Sequence, residues 1–312
     1  MPMWRLTPAC KDYLWGGERL RERYHIKSEC RPLAEAWVLS CHPDGMSRIA
    51  EGENRGLTLP QAAARYKGNF WGTLCARFGE FPMLVKLIDA QKDLSVQVHP
   101  DDEYAERVEH QSGKAEMWYV AEAAPGAAIY YGFDRPVTRE EIRESLKKNT
   151  LTDLLRRVPV KQGDVFYIPP GTVHAIGAGT VIAEIQQSSN VTYRLYDYGR
   201  TGADGKPRVL HTEKALAVLK PEPVKNDWDF GGHLGRHRCF TADLLQGGAA
   251  GCCDGRSFMG LLATEGEGVL YCGGEQKEIR AGECVFLTAD AGEWRLQGGV
   301  KALQCYLTET IA

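Results

Sequence analysis

The stretch LSVQVHPDD, from Leu94 to Asp102, alternates with a period of two. Val96 and Val98 fall on one face of a strand, Gln97 and His99 on the other. Further β-branched or aromatic runs, each bounded by Gly, Pro or Asp, are FPMLVKLIDA, AEMWYVAEA, AAIYYGF, DVFYIPPGTVHAI, GTVIAEIQQ and VTYRLYDYG. Strands this close together predict antiparallel pairing in a sandwich or barrel. Helix signals are few. A capping box from Thr58 to Gln61, with Pro60 in the first turn and a stop at Gly68, predicts one helix. A second box, Thr138 to Glu141, opens TREEIRESLKKN. PDDEYAERVEHQ, with its early acids, LTDLLRRV and TEKALAVLK predict three more short helices.

After LKPEPVKNDWDFGG, which reads as a linker around 220–232, the β pattern restarts on a smaller scale. The expected division is a first unit at 1–225 and a second at 226–312. KQGDVFYIPPGTVHAI and IRAGECVFLTADAGEW share a shape: polar residues, Gly, an acid, an apolar strand, a turn. That is a weak internal repeat of two barrel modules. In the second copy Glu293 stands where the first has a histidine, and the proline-glycine turn has become TADAG. Only the first copy is expected to hold a metal.

Composition narrows the classes. The chain of 312 residues is 43% hydrophobic and 25% charged, with net charge -3, so nothing marks it for nucleic acid. No apolar run approaches the ~20 residues of a membrane span, and the first twenty residues have no apolar core of a signal peptide. The ten cysteines include no CxxC pair, and several sit in apolar strands such as ECVFL. Reduced thiols in the cytoplasm are expected. No nucleic-acid or membrane partner is expected; oligomeric state is not legible, and a monomer is compatible with the sequence.

The chemistry gathers around Gln97 and His99. Glu116 follows in GKAEMWYV, where Lys114, Glu116 and Trp118 share a face. Gly163, Pro169, Gly171 and His174 fit G-x5-P-x-G-x2-H, the second motif of cupin barrels. The first cupin motif fits as well, with Gln97 where a histidine is usual. The fold expected is mainly β: two cupin (jelly-roll) modules with a few short helices. Strand alternation aims Gln97 and His99 inward, toward Glu116 and His174. Two imidazoles, a carboxylate and an amide oxygen suit a borderline cation such as Zn²⁺.

More of the chain then falls into place. YLWGG at Tyr13–Gly17, AEAWVLSCHPDGMS from Ala34, MLVKLIDAQKDLSVQVHPDD, GKAEMWY and QSSNVTYRLYDYGR resemble the type I mannose-6-phosphate isomerases (phosphomannose isomerases), in their short bacterial form. The resemblance covers nearly the whole chain. It implies one zinc ion per chain, held by Gln97, His99, Glu116 and His174, with Lys86, Lys114, Glu184 and Arg194 lining a substrate pocket. Taken alone, a strand lysine reads equally well as an edge device, and Arg194 as half of an ion pair with Asp197. One departure is notable. Many longer relatives carry His-Lys before the proline and glutamate, where this chain has Gly113-Lys114-Ala115-Glu116. A role in ring opening given to that histidine does not transfer.

The implied reaction interconverts mannose 6-phosphate and fructose 6-phosphate through a cis-enediol. Lys114 and Glu184 are the candidates for moving the proton, and the sequence does not order them. Arg194, with Lys86, is the candidate for the phosphate. Two alternatives stand beside this. One is another cupin enzyme, a different sugar isomerase or an Fe-dependent dioxygenase, which would present a more His-rich shell. The other is a non-catalytic sugar-phosphate-binding cupin, which would lack a ligand or the arginine.

Overall fold

Strand Met83–Ala90 is buried along its whole length, although it carries Lys86 and Asp89. The computed structural model, which describes residues 2–202 and 205–309, places it inside a six-stranded antiparallel sheet. In spatial order the strands are Val165–Ile168, Glu116–Ala123, Thr180–Gln187, Met83–Ala90, Glu35–Leu39 and Ala9–Lys11. Both faces of this sheet are covered, so its central strands read as near-continuous apolar runs. The lysine is therefore no edge device.

One face looks across a sandwich to a five-stranded sheet, ordered Tyr193–Tyr196, Val96–Val98, His174–Ile176, Ala128–Phe133 and Leu155–Pro159. Ile88, Trp118, Tyr131, Ile176 and Ile182 fill the space between. Helices Arg139–Lys148 and Thr212–Val218 cover the outside of the five-stranded sheet through Ile142, Ala215 and Leu216, packed on Val96, Val98 and Val173.

The other face of the six-stranded sheet packs on a seven-stranded one. Its order is Gly235–His237, Phe240–Gln246, Lys301–Tyr306, Met259–Glu265, Cys284–Leu287, Met3–Thr7 and Arg48–Ile49. A four-stranded sheet, Ala250–Cys253, Gly292–Gly298, Glu267–Cys272 and Glu275–Arg280, closes the second sandwich. The fold is mainly β, two jelly-roll modules with a few short helices. Strand Met3–Thr7 belongs by sequence to the first unit, yet pairs with Cys284–Leu287. An aromatic stack fixes it there: Trp4 lies 5.2 Å from Phe70, and Phe70 lies 5.1 Å from Phe286, centroid to centroid. Such pairs add about 0.5–1.5 kcal/mol each beyond their buried area.

Both capping boxes form, each with the reciprocal pair of hydrogen bonds. The helix after Thr58 spans only Leu59–Ala63, shorter than expected. LTDLLRRV departs further from expectation. A 3-10 turn, Leu151–Leu154, gives way to strand Leu155–Pro159, which pairs with Ala128–Phe133 and becomes the edge of that sheet. A free sheet edge offers a row of backbone partners, and eight residues of weak helical preference do not outweigh it.

Candidate active site

Two rungs of sheet, one on each side of the first sandwich, carry most of the polar side chains between the layers. In the six-stranded sheet Trp37, Lys86, Glu184 and Trp118 stand directly opposite one another across four adjacent strands. Residues paired across a ladder point to the same face. In the five-stranded sheet Arg194, Gln97 and His174 make a second rung. Glu35 and Glu116 lie two residues before Trp37 and Trp118, hence on the same face. Gly171 turns the chain into His174 with φ +87°. A side chain there would be strained in the left-handed region and would meet Val218 O at 3.0 Å.

His99, Glu116 and His174 converge, with one ligand atom from each lying within 4.8 Å of the others. His99 Nδ1 is 2.9 Å from Val191 O, and His174 Nδ1 is 2.9 Å from Thr172 O. A carbonyl at Nδ1 calls for a proton on that nitrogen, so each neutral ring presents the lone pair of Nε2 to the centre. His99 Nε2 is 3.2 Å from Glu116 Oε1, and His174 Nε2 is 3.7 Å from Oε2. The Gln97 amide reaches His174 Nε2 at 3.4 Å. Burial pulls both imidazoles toward the neutral form. For His99 burial, with the Lys114 charge beside it, takes the pKa down to about 3.

The donor set fits a metal ion. Glu116 is fully buried, and neither of its oxygens has a partner in hydrogen-bonding geometry among the described residues. Buried lone pairs left this way are costly unless a cation meets them. Lys114 partly supplies one. Its Nζ stands 2.6 Å from Glu116 Oε1 and 3.3 Å from His99 Nε2. Burial opposes the charged form of Glu116, but the Lys114 ammonium together with His99 and His174 outweighs it and holds the carboxyl well below its ordinary range.

Beside this centre lies a second charged group. Lys86 Nζ is 3.2 Å from Glu184 Oε1 and 3.7 Å from Glu35 Oε2. Each carboxylate is held by an indole: Trp118 Nε1 donates to Glu184 at 2.9 Å, and Trp37 Nε1 to Glu35 at 2.7 Å. Lys86, Lys114 and Glu184 are 4%, 3% and 3% exposed, so water screens none of these contacts well. Burial alone would lower the Lys86 pKa; the charges of Glu35 and Glu184 reverse that and raise it. Burial and then the Glu116 charge push Glu184 the other way, toward its protonated form. A carboxyl of raised pKa beside a firmly charged ammonium is an acid–base arrangement.

A cavity of about 270 Å³ opens onto this wall, lined by Lys86, Gln97, Lys114, Glu184 and Arg194, with Tyr13, Glu35 and Arg208 among its other walls. His99, Glu116 and His174 lie buried beside it. All eight residues picked from the sequence thus come together in one place. Arg194 does not pair with Asp197. Its Nη1 donates to Val209 O at 2.8 Å and its Nε to Ser95 Oγ at 3.3 Å.

Residues 3–129 match the family model described as "Phosphomannose isomerase type I, catalytic domain". The "Mannose-6-phosphate isomerase ManA" of Bacillus subtilis is 35% identical over 317 residues, which span 96% of this chain and 97% of that one. This chain belongs to the type I phosphomannose isomerase family. The crystal structure of the mannose 6-phosphate isomerase from Bacillus subtilis superposes on this phosphomannose isomerase fold with a TM-score of 0.88 at 30% identity, over 98% and 99% of the two chains. A mannose 6-phosphate isomerase solved with zinc and yttrium bound shares the fold, with a TM-score of 0.78 at 19% identity over 99% of this chain and 100% of that one.

Two charged residues of the phosphomannose isomerase cavity escape the sequence reading. Glu35 stands in AEAW, where the i, i+2 spacing to Trp37 is the only local signal. Arg208 sits in a loop without periodicity. Gly113, next to Lys114, also has a local cause. A Cβ on Gly113 would lie 2.5 Å from the backbone carbon of Asp101 and 2.5 Å from the nitrogen of Asp102. No side chain fits at that position.

Proposed function

We propose that this protein is a mannose-6-phosphate isomerase, converting the aldose to fructose 6-phosphate. The observation that carries the reading is the buried Lys86–Glu184 pair on the wall of one small cavity, with a His–Glu–His trio buried beside it. Gln97, His99, Glu116 and His174 would hold one Zn²⁺ per chain. Bound there, zinc would supply Lewis-acid stabilisation of negative charge on the sugar's O1 or O2.

The chain's own residues divide the remaining work. We assign the carbon proton to Glu184, whose raised pKa suits a base that must also return what it takes. It removes the proton from C2 and delivers it to C1 on the same face of the cis-enediol. As the carbonyl moves from C1 to C2, the O2 hydroxyl proton passes to O1, and Lys114 stands where it can relay it. The Lys86 ammonium, held charged by Glu35 and Glu184, stabilises the enediolate. The Trp37 and Trp118 indoles keep both carboxylates aimed. Arg194 is the phosphate ligand, since a guanidinium matches phosphate geometry.

No described helix is long and apolar enough to cross a membrane. Ten free thiols support a cytoplasmic setting. All the site residues come from one chain, so a monomer is compatible with the site. We assign 1–225 as the catalytic unit and 226–312 as its support, joined by the exchanged strand Met3–Thr7. A coupled assay following fructose 6-phosphate from mannose 6-phosphate tests the reading. Turnover that needs stoichiometric zinc is expected. Zinc-loaded protein that turns over no mannose 6-phosphate would end it.

A further inference from the structure

The cavity wall carries more positive charge than the reaction above uses. Arg194 and Arg208 both line it, each partly exposed where Lys86, Lys114 and Glu184 are buried. Arg208 reaches Asp197 through Nη1 alone, 3.3 and 3.4 Å from its two oxygens. Among the described residues its Nε and Nη2, and Nη2 of Arg194, have no hydrogen-bond partner. Asp197 is already occupied by Arg200, which donates to its side chain and its carbonyl and also to Asp93 O. Two guanidiniums thus share one buried carboxylate, a third stands nearby in Arg194, and the excess charge meets the cavity through Arg194 and Arg208. The two repel each other: after burial, Arg208 is the largest influence lowering the Arg194 pKa. A dianion between them would relieve that repulsion and satisfy the free N–H groups.

Substrate geometry agrees. In a hexose 6-phosphate the reacting carbons, C1 and C2, and the phosphate on C6 are at opposite ends of the chain. The cavity has a matching division, with Lys86 and Glu184 on the six-stranded sheet and Arg194 on the five-stranded sheet that faces it. Lys86, occupied by Glu35 and Glu184, belongs with the reacting carbons.

We propose that Arg208 is a second phosphate ligand, that it forms a two-guanidinium clamp with Arg194, and that Asp197 is the counter-ion holding Arg208 in place until the phosphate arrives. This rests on the isomerase reading and adds a specificity-determining residue to it.

The test uses zinc-loaded enzyme and two readings: KM and kcat for mannose 6-phosphate, and Ki for inorganic phosphate as a competitive inhibitor. Arg208→Ala should raise KM and Ki at least tenfold and change kcat less than threefold. Arg208→Lys should recover only part of the loss, since an ammonium cannot reproduce the fork. Arg200→Ala removes a charge from Asp197 but none from the cavity wall, and should move Ki less than threefold. A Ki in Arg208→Ala within twofold of wild type, or an equal rise in Arg200→Ala, overturns the proposal. Should Arg208→Ala lose its melting transition, Arg208→Lys carries the test, with a Ki at least threefold above wild type expected and an unchanged Ki overturning it. Absent turnover in wild type is a separate failure, that of the isomerase reading itself.

Discussion

Lys86 and Glu184 face each other across one antiparallel rung in the interior of a sheet, Nζ 3.2 Å from Oε1. A buried ion pair gains little net stability, because removing two charges from water costs about what their attraction returns. Breaking it is another matter, since the surviving charge stays buried and unpaired. The rung answers this by flanking the pair with indoles on both sides, so the cost of burial is met by neighbours fixed in the same ladder.

Trp118→Phe should expose that dependence. The ring survives, but Glu184 Oε2 loses its donor, a cost of about 1–3 kcal/mol for a buried acceptor. A hydrogen bond to the charged form lowers a carboxyl pKa, so losing it raises the Glu184 pKa further. Less of the basic form is then present at a given pH. The acid limb of the kcat profile should move to higher pH, with KM near wild type. An unmoved limb alongside a lowered Tm would make the indole purely structural.

Metal content should follow ligand strength. Chelation should abolish activity, and readdition of zinc should restore it. His174→Ala should lose more metal than Gln97→Ala, because imidazole is the stronger ligand. Glu293→Ala, at an exposed position in the second sandwich, should retain wild-type zinc and turnover. Equal metal in all three variants, measured by mass spectrometry, would contradict the assigned ligands.

Gly113→Ala adds one methyl group and should be costly. The backbone at Asp101 and Asp102 must shift to admit it, and the next residue is Lys114, whose amide donates to Pro100 O at 3.0 Å. Overpacking of this kind costs about 1–3 kcal/mol. Tm and kcat should fall together. A variant with wild-type kcat would show that the Lys114 backbone tolerates displacement.

Acid should weaken the fold through a histidine that is not one of the metal-centre residues. Burial lowers the pKa of half-buried His237 to about 4, while an unfolded histidine titrates near ~6.5. Between those values the unfolded state binds more protons, so stability rises with pH across that window and is lost as pH falls through it. Allowing for partial solvent screening, the contribution is on the order of 1–2 kcal/mol. His237→Phe should flatten the Tm–pH curve between about pH 4 and pH 6.5. A curve of unchanged slope there would assign the effect elsewhere.

What the sequence made legible was local. Gln97 and His99 announce themselves because strand alternation puts two ligand types on one face. His174 does so because Gly163 and Gly171 must stand where the backbone turns with positive φ. Glu35 was harder to see: what matters is its distance from Lys86, and that is set by strand pairing rather than by anything in AEAW. Arg208 was hidden for a similar reason, since its place depends on Asp197, eleven residues away. LTDLLRRV misled because its local preference is weak and the sheet edge that captures it is formed by residues before it in the chain.

The exchange of strand Met3–Thr7 has a consequence for biosynthesis. Arg5 meets Glu283, 278 positions away, so this segment pairs with one made much later. At ribosomal rates of about 5–20 residues per second the early strand waits tens of seconds for its partner. Throughout that time Trp4 and Leu6, both buried in the finished protein, have no strand Cys284–Leu287 beside them. Nascent chains stalled just before Cys284 should therefore be recognised by chaperones that bind exposed apolar strands, and release should coincide with synthesis of strand Cys284–Leu287.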